Sequence, residues 1–179
     1  MPRCTLVLTG APLAERCADV VSALQEAGYE VDLVVTEAAS AWVHVGGVSA
    51  ATGAEIRIHA QPRGTSPRKP LPDVVVVCPA TFNTINKVAQ GIADTRTHSF
   101  LCECVGAGVR LLFVPMINDR LWNHPALGSS MHVLTGVGAL FLNPVRGTLD
   151  AAPVISGSGG QLVADFDPSW IVAGLGSQS

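Results

Sequence analysis

Residues 4–36 read CTLVLTGAPLAERCADVVSALQEAGYEVDLVVT and predict a strand, a helix and a second strand. The apolar run at 4–9 is followed by a segment at about 13–27 in which apolar residues recur at helical spacing. Gly28 ends this helix, and the continuous apolar run at 31–36 is typical of a parallel strand that is covered on both faces. The apolar helix face consists of Leu13, Cys17, Val20, Val21 and Leu24. The chain is therefore predicted to open with a βαβ unit.

The alternation of strands and helices continues along the chain. VVVVC at 74–78 precedes a helix at about 82–91, and VRLLFVP at 109–115 precedes a helix at about 119–127. A fifth strand, ALFLN at 139–143, completes the predicted core. This order favours an α/β fold with a doubly wound parallel sheet, Rossmann-like and flavodoxin-like, flanked by helices. Ligands of such folds bind beyond the carboxyl ends of the strands.

The composition indicates a single domain, residues 1–179, that buries apolar surface against further subunits. Charged residues make up 14% of the chain, against roughly 25% in an average soluble domain, and the mean hydropathy is +0.38. A run of about 18 uncharged apolar residues is absent, and the first residues are too short for a signal peptide. We therefore expect a cytoplasmic homo-oligomer without a membrane partner. The net charge of −3, with scattered Lys and Arg, predicts no nucleic-acid partner.

The cysteines indicate a reduced, cytosolic protein without a metal site. Their number, five, is odd, and the sequence has no CxxC pair and no histidines at zinc-finger spacing from them. They are Cys4, Cys17, Cys78, Cys102 and Cys104.

The turn after the first strand, TGAP at 9–12, combines a hydroxyl with small residues in front of a helix. Free N–H groups at the start of a helix favour a phosphate, which makes this turn a candidate phosphate site. The alternative is a small-residue turn that serves packing alone. The dinucleotide fingerprint GxGxxG is absent, which argues against NAD.

Two further strand ends carry polar groups. PATFNT at 79–84 places three hydrogen-bonding side chains in a turn before a helix, where an N-cap needs only one. A ligand with several polar edges explains the surplus, and capping plus one turn hydrogen bond is the alternative. After the fourth strand, either Asp119 caps a helix and Trp122 is core, or Asn118 faces a pocket as an amide donor.

Two segments interrupt the alternation. Residues 60–72 are rich in proline and basic residues, and GTLDAAPVISGSGG at 147–160 is rich in glycine and serine. Such loops beside an active site often act as substrate lids. An inert surface loop is an equal alternative for 60–72 and a weaker one for 147–160, which is the predicted mobile substrate flap.

Three segments carry a resemblance to a known family. PATFNTINKVAQGIAD at 79–94 resembles the PASANT segment of the homo-oligomeric flavin-containing cysteine decarboxylases, and PMINDRLW at 115–122 is similar to their PxMNxxMW motif. VTEAASAWV at 35–43 resembles the family's second strand and following helix, and the likeness extends from about residue 4 to residue 145. The resemblance implies FMN bound between the subunits of a trimer, which is often assembled into a dodecamer.

The resemblance also implies which residues hold FMN. The phosphate and the ribityl chain are expected at the ends of the first two strands, and the flavin ring against the PATFNT turn. An aromatic residue is expected to line the pocket. The candidate cofactor contacts are Gly10, Ala11, Thr36, Trp42, Pro79, Ala80, Thr81 and Asn83.

The catalytic candidates are His59 and Asn118. His59 stands where the family places its catalytic histidine, and an imidazole that titrates near neutral pH suits deprotonation of a thiol; the alternative is a surface histidine beside a basic loop. Asn118 is expected to hold the substrate carboxylate or amide. The family's LLTT run appears as RTHS at 96–99, where His98 replaces a small hydroxyl residue. The candidate substrate contacts are Asn118 and three departures from the family motifs, Ile117, Leu121 and Phe82.

The family has three branches: phosphopantothenoylcysteine decarboxylases, peptidyl-cysteine decarboxylases and prenyl-FMN synthases. The prenyl-FMN synthases lack the PxMNxxMW motif, so Asn118 argues against membership of that branch. In both decarboxylase branches the cysteine thiol is deprotonated, hydride passes from its β-carbon to the flavin, and the resulting thioaldehyde loses CO2. The coenzyme A branch then reduces the enethiol with a flap cysteine as proton donor. This chain has no cysteine after Cys104, and its flap offers Ser156 and Ser158 instead.

The resemblance therefore implies FMN-dependent oxidative decarboxylation of the C-terminal cysteine of a ribosomally made precursor peptide, with an aminoenethiol as product. The alternatives are a phosphopantothenoylcysteine decarboxylase and a non-catalytic FMN-binding regulatory protein.

Overall fold

The computed structural model describes residues 1–58 and 70–176 and shows a parallel sheet flanked by helices. His59 and most of the 60–72 loop lie outside the described residues. The strands are β1 Arg3–Leu8, β2 Glu30–Val35, β3 Glu55–Ile58, β4 Val74–Ala80, β5 Arg110–Pro115 and β6 Leu140–Phe141. In the described part of the chain they form one six-stranded sheet of order β3-β2-β1-β4-β5-β6, and all neighbouring pairs are parallel.

The connections between strands are helical. The α-helices are α1 Cys17–Glu26, α2 Val45–Thr52, α3 Phe82–Ala89, α4 Arg96–Gly106, α5 Asp119–Trp122, α6 Pro125–Gly136, α7 Gly159–Asp165 and α8 Ser169–Gly176. Two 3₁₀ helices, Pro12–Arg16 and Glu37–Ala41, follow β1 and β2. The predicted α/β fold with a doubly wound sheet is confirmed.

The central strands are apolar because the sheet is covered on both faces. All residues of β4 are buried, and successive side chains of a strand point to opposite faces. Val76 and Leu112 pack into one core cluster with residues of α1 and α8, whereas Val75 and Phe113 pack into a second cluster with residues of α3, α4 and α6. A run of valines is therefore the pattern expected for a doubly covered strand.

The strand order reverses between β1 and β4. The chain runs outward from β1 through β2 to β3, returns to β4 on the other side of β1, and continues to β6. Helices that leave neighbouring strands in opposite directions open a crevice at such a point. The carboxyl ends of β1 and β4 are therefore the expected location of a ligand.

The prediction of a single helix at about 119–127 is wrong, because the segment forms two helices. The helix α5 ends at Trp122, and α6 begins at Pro125. Proline lacks an N–H and restricts the residue before it, so it favours the start of a new helix. The side chain of His124 caps α6 by accepting a hydrogen bond from the N–H of Ala126 (3.1 Å).

Several elements lie outside the sequence-based prediction. The edge strand β3 was missed because EIRI mixes charged and apolar residues within four positions. The helix α4 was missed because its buried face includes the polar residues Thr97 and His98. The predicted strand at 139–143 is reduced to β6, and the helix expected after β2 is a 3₁₀ helix. The helices α7 and α8 were also not predicted.

In the described ranges, no helix has both the length and the apolar character that crossing a membrane requires.

Candidate functional site

A cavity of about 560 Å³ lies at the carboxyl ends of β1, β2 and β4. It coincides with the reversal of strand order, and it brings together four of the predicted cofactor contacts, Gly10, Thr36, Thr81 and Asn83. The complete lining is Thr9, Gly10, Thr36, Glu37, Ala38, Thr81, Asn83, Thr84, Lys87, Thr95, Arg96, Thr97 and His98.

The floor of the cavity is held together by Thr9. Its hydroxyl donates to the carbonyl oxygen of Pro79 (2.8 Å) and accepts from the N–H of Thr81 (3.2 Å). Both bonds span the gap between the ends of β1 and β4. The polar residue at the end of the first strand therefore fixes the distance between the two turns that the sequence marks as cofactor contacts.

Two predicted contacts are helix N-caps. Thr36 accepts a hydrogen bond from the N–H of Ala39 (3.2 Å), and Thr81 accepts one from the N–H of Thr84 (3.4 Å). Capping thus accounts for one of the three hydrogen-bonding side chains at 79–84, that of Thr81. Because both caps line the cavity, two helices begin there, and the partial positive charge at helix starts favours an anionic group.

Gly10 is required for the approach of the β1 turn to the 3₁₀ helix after β2. A Cβ on Gly10 would lie 2.6 Å from Cβ of Ala38 and 3.1 Å from its backbone carbonyl. Neither group is the flexible end of a side chain, so the backbone itself would have to shift.

We expect Gly10→Ala to lower the free energy of unfolding by about 1–3 kcal/mol, the usual range for overpacking, and to reduce the flavin content of the purified protein. Chemical denaturation and absorbance near 450 nm measure these effects. Gly128→Ala in α6 is the matched control, since a Cβ there meets no atom within 4 Å. A helical glycine-to-alanine change stabilises by about 0.5–1 kcal/mol. Equal behaviour of the two variants would contradict the close approach.

A cluster of ionisable groups forms one wall of the cavity. The ammonium of Lys87 lies 2.5 Å from Oδ2 of Asp94, and Nδ1 of His98 lies 3.1 Å from Oδ1 of the same carboxylate and 2.9 Å from Oγ1 of Thr95. The hydrogen bond from Lys87 lowers the pKa of Asp94. Burial lowers the pKa of His98, and the charge of Lys87 adds to this effect.

His98 contributes an unusual buried group. It is only 5% exposed, and its Nε2 atom is shielded from solvent without a hydrogen-bond partner in the described part of the chain. Sequence reasoning noted His98 only as a departure from the family's LLTT run, and it missed Lys87 and Asp94. The histidine at this position could have identified the group from the sequence, since a large polar ring stands where the family has a small residue, close to a predicted ligand-binding turn.

Four predicted cofactor contacts are not part of the cavity lining. Ala11, Pro79 and Ala80 adjoin lining residues in the sequence and are buried, but they do not line the cavity. Trp42 follows the 3₁₀ helix Glu37–Ala41 and is 38% exposed. The role of Trp42 at the cofactor pocket stays a prediction.

Asn118 is the N-cap of α5. Its Oδ1 accepts a hydrogen bond from the N–H of Leu121 (3.0 Å), which leaves the amide NH2 as a donor. The structure matches neither alternative posed by the sequence in full. Asn118 and not Asp119 caps the helix, and Asn118 is exposed and is not among the residues that line the cavity. Leu121 is 42% exposed, while the side chain of Ile117 is 2% exposed and packs in the core. The side chain of Ile117 is therefore not placed to meet a substrate.

The two family-like segments meet at Phe82. Its ring contacts the ring of His124 edge to face, with 5.5 Å between the centroids. The N–H of Met116 also donates to the carbonyl oxygen of Ala80 (3.0 Å). The turns at 79–84 and 115–122 therefore form one continuous surface beside the cavity.

The predicted flap at 147–160 lies against the Asn118 turn. Val154 forms a parallel bridge with Asn118, and its N–H donates to the carbonyl oxygen of Ile117 (2.8 Å). The hydroxyl of Ser156 donates to Oδ1 of Asp119 (2.7 Å), and this bond lowers the pKa of Asp119. The segment predicted as a flap thus packs on the Asn118 turn, and its role as a substrate flap stays a prediction.

The described residues contain no cluster of three or more His, Cys, Asp or Glu side chains that could hold a metal. All cysteines are free, and burial raises the pKa of every one of them, to about 12 for Cys4, Cys17 and Cys104. They are therefore protonated at neutral pH, and none belongs to the flap.

Comparison with known proteins gives a family. The model of the family described as Flavoprotein matches residues 1–159. The chain is similar to the coenzyme A biosynthesis bifunctional protein CoaBC of Thermococcus kodakarensis, with 29% identity over 146 residues, 78% of this chain and 36% of that protein. It is also similar to the epidermin decarboxylase of Staphylococcus epidermidis, with 34% identity over 62 residues, 35% of this chain and 33% of that protein. The matched segment thus covers little more than a third of CoaBC.

Solved structures support the fold. A mutant PPC decarboxylase has a TM-score of 0.73 at 19% identity and covers 99% of this chain and 100% of its own. The FMN-dependent cysteine decarboxylase TvaF from thioviridamide biosynthesis has a TM-score of 0.70 at 19% identity over 92% of this chain and 99% of its own. The FMN-binding protein AtHal3 has a TM-score of 0.69 at 18% identity over 91% of this chain and 93% of its own.

The cavity fits the flavin that this family implies. Its volume of about 560 Å³ lies within the range of roughly 300–1,000 Å³ that is usual for cofactor sites. Its hydroxyl side chains and two helix starts suit a phosphate, and His98 supplies a buried ring nitrogen that lacks a partner among the described residues. The family resemblance and the cofactor, FMN, that the sequence predicts are thereby confirmed. The chain belongs to the Flavoprotein family, that of the homo-oligomeric flavin-containing cysteine decarboxylases.

Proposed function

We propose that this protein catalyses the FMN-dependent oxidative decarboxylation of the C-terminal cysteine of a ribosomally made precursor peptide and releases an aminoenethiol. The observation that carries the proposal is the flap. It lies against Asn118 but contains serine in place of a thiol, with Ser156 bonded to Asp119.

The cavity residues hold the cofactor in this proposal. Gly10 and Thr36 lie where two helices begin and suit the phosphate, while Thr81 and Asn83 border the flavin ring. Bound FMN supplies the two-electron oxidant for the cysteine side chain. Ala11, Pro79, Ala80 and Trp42 stay secondary contacts, behind the turns or at the rim.

Asn118 and His59 act on the substrate. The amide NH2 of Asn118 is left free by the cap hydrogen bond to Leu121, so it can donate to the substrate carboxylate. His59, which follows β3 in the sequence, takes the proton of the substrate thiol. Phe82 and Leu121 shape the adjoining surface, together with the main chain at Ile117.

The absence of a flap thiol determines the product. Reduction of an enethiol to a saturated thiol needs a proton donor beside the substrate, which the coenzyme A branch takes from a flap cysteine. In this chain the last cysteine, Cys104, is buried in α4, and burial raises its pKa to about 12. The unreduced enethiol is therefore the product.

The second candidate is phosphopantothenoylcysteine decarboxylation. It is favoured by the match to CoaBC, which covers 78% of this chain, against 35% for epidermin decarboxylase. Both reactions begin with the same oxidation and loss of CO2, so the substrate and the final reduction separate them. A non-catalytic FMN-binding protein is the candidate from another class.

Self-association, as a trimer or a dodecamer in the cytoplasm, is part of the proposal. It is supported by apolar side chains that this chain leaves exposed and by the position of the cavity at the surface. The exposed groups include Trp42, Ile92, Leu121, Val133 and Val137.

The test uses the purified FMN-bound protein and two substrates. We expect a peptide ending in cysteine to lose the mass of CO2 and two hydrogens, whereas the same peptide ending in serine remains unchanged. Conversion of phosphopantothenoylcysteine to a stable saturated thiol would favour the second candidate. No change in either substrate would favour a non-catalytic protein.

A further inference from the structure

The side chains of Lys87, Asp94, Thr95 and His98 form a hydrogen-bonded cluster that has no assigned role in the reaction. Of these residues, Lys87, Thr95 and His98 line the cavity. The central feature of the cluster is the imidazole of His98, which is 5% exposed. The ring is anchored on one side only, because Nδ1 contacts Asp94 and Thr95 while Nε2 has no partner in the described residues. Buried polar atoms are almost always hydrogen-bonded, so an orphan at a cavity wall indicates a partner that binds there.

The contacts of Nδ1 determine which kind of partner this is. Asp94 is ionised, since a hydrogen bond from Lys87 lowers its pKa, and an ionised carboxylate only accepts hydrogen bonds. Nδ1 of His98 lies 3.1 Å from Oδ1 of Asp94, so this carboxylate stabilises the tautomer that carries the proton on Nδ1. Burial also lowers the pKa of His98, which keeps the ring neutral. In a neutral imidazole with a proton on Nδ1, Nε2 is an acceptor.

We propose that Nε2 of His98 accepts a hydrogen bond from an N–H or O–H group of the bound flavin. This inference rests on the proposed binding of FMN in the cavity. FMN has such donors at N3 of the ring and in the hydroxyls of the ribityl chain, whereas its ionised phosphate has none. Because Nε2 is shielded from solvent, the contact forms with a small movement of the cavity wall when the cofactor binds. His98 is thus a residue that positions and selects the flavin.

Asp94 controls this role by fixing the tautomer. Its Oδ2 accepts from the ammonium of Lys87 at 2.5 Å, while Oδ1 faces Nδ1 of His98. In Asp94→Asn the single amide oxygen is drawn to Lys87, which can only donate. The amide NH2 then faces Nδ1, so the proton moves to Nε2, and the acceptor becomes a donor. Asp94→Asn should therefore impair flavin binding without altering the imidazole itself.

The experiment measures FMN binding to the apoprotein by quenching of flavin fluorescence. We expect His98→Leu and Asp94→Asn each to raise the Kd about tenfold, the factor that corresponds to one well-formed hydrogen bond of roughly 1.4 kcal/mol. The thermal midpoint of apo His98→Leu should not fall, because the variant removes an unsatisfied buried atom. The matched controls are His132→Leu on α6 and Asp165→Asn on α7, two exposed positions outside the cavity.

Binding of three ligands, FMN, riboflavin and lumiflavin, shows which flavin group donates the hydrogen bond to His98. An equal loss of affinity for lumiflavin, which keeps the ring N–H but lacks the ribityl chain, assigns the bond to N3. A loss for FMN and riboflavin but not for lumiflavin assigns it to a ribityl hydroxyl. A loss for FMN that is absent with riboflavin overturns the proposal, because the phosphate alone is then affected.

Further outcomes would also overturn the proposal. These are wild-type affinity in His98→Leu, wild-type affinity in Asp94→Asn, or a weaker affinity accompanied by a change in oligomeric state. If His98→Leu does not fold, Asp94→Asn decides, since Asp94 is exposed. A failure of the proposed function is distinguishable from these outcomes. It would appear in the wild-type protein itself, which would then not bind FMN or not decarboxylate a cysteine peptide.

Discussion

Replacing His59 with asparagine should lower the rate of cysteine decarboxylation by about 10²–10⁴-fold, the usual contribution of a positioned general base, while the protein stays yellow. Asparagine has a similar size but cannot take a proton from the substrate thiol near neutral pH. The flavin should be retained because the described lining of the cavity comes from the ends of β1, β2 and β4 and from α3 and α4, and His59 is not proposed to hold the cofactor. Single-turnover reduction of the flavin by a cysteine peptide, followed at 450 nm, measures the effect.

The control is His132→Asn, which changes an exposed histidine on α6 in the same way. It should leave the rate unchanged. If His59→Asn reacts as fast as the wild type, His59 is not the base. Raising the pH offers a second check, since a substrate thiol that ionises without help should restore part of the lost rate.

Asn118→Asp should lower kcat/KM for the cysteine peptide by about 100-fold, because a hydrogen bond to a charged group is worth roughly 1.5–3 kcal/mol. Aspartate keeps the cap of α5, since its oxygen can still accept from the N–H of Leu121. What it loses is the NH2 donor, which it replaces with a negative charge that repels the substrate carboxylate. The thermal midpoint and the FMN content should therefore change little.

Asn123→Asp is the matched control, since Asn123 is an exposed residue at the other end of the same short helix. It introduces the same charge near the site but removes no proposed contact. A similar loss of activity in both variants would show that added negative charge, and not the amide of Asn118, is responsible. Full activity of Asn118→Asp would remove Asn118 from the proposed substrate site.

Much of the fold could be predicted because its strands are buried on both faces. VVVVC in β4 and LLFVP in β5 leave a continuous apolar run in the sequence, so local pattern and tertiary environment agree. The edge strand β3 lacks that agreement, since EIRI is half charged. In α4 the buried face contains Thr97 and His98, so the apolar repeat that identifies a helix is interrupted at the cavity.

The candidate site could be predicted where each contact belongs to a turn that follows a strand. Gly10, Thr36 and Thr81 fall into this class, and the structure places all of them at one cavity. The side chain of Ile117 was predicted to meet the substrate, but the structure buries it in the core. A residue beside a strand end can face either way, and only the packing of the neighbouring helices determines which.

The sequence by itself determined the fold class, the family and the strand ends at which the cofactor site lies, because these depend on local apolar runs and on short contiguous motifs. Only the tertiary structure decided that the cap hydrogen bond of Asn118 leaves its NH2 free and that the flap lies against it. It alone brought Lys87 and His98, which are bridged by Asp94, to the same cavity as Thr36. Thr36 is far from these residues along the chain, and the return of the chain from β3 to β4 beside β1 brings the two parts together.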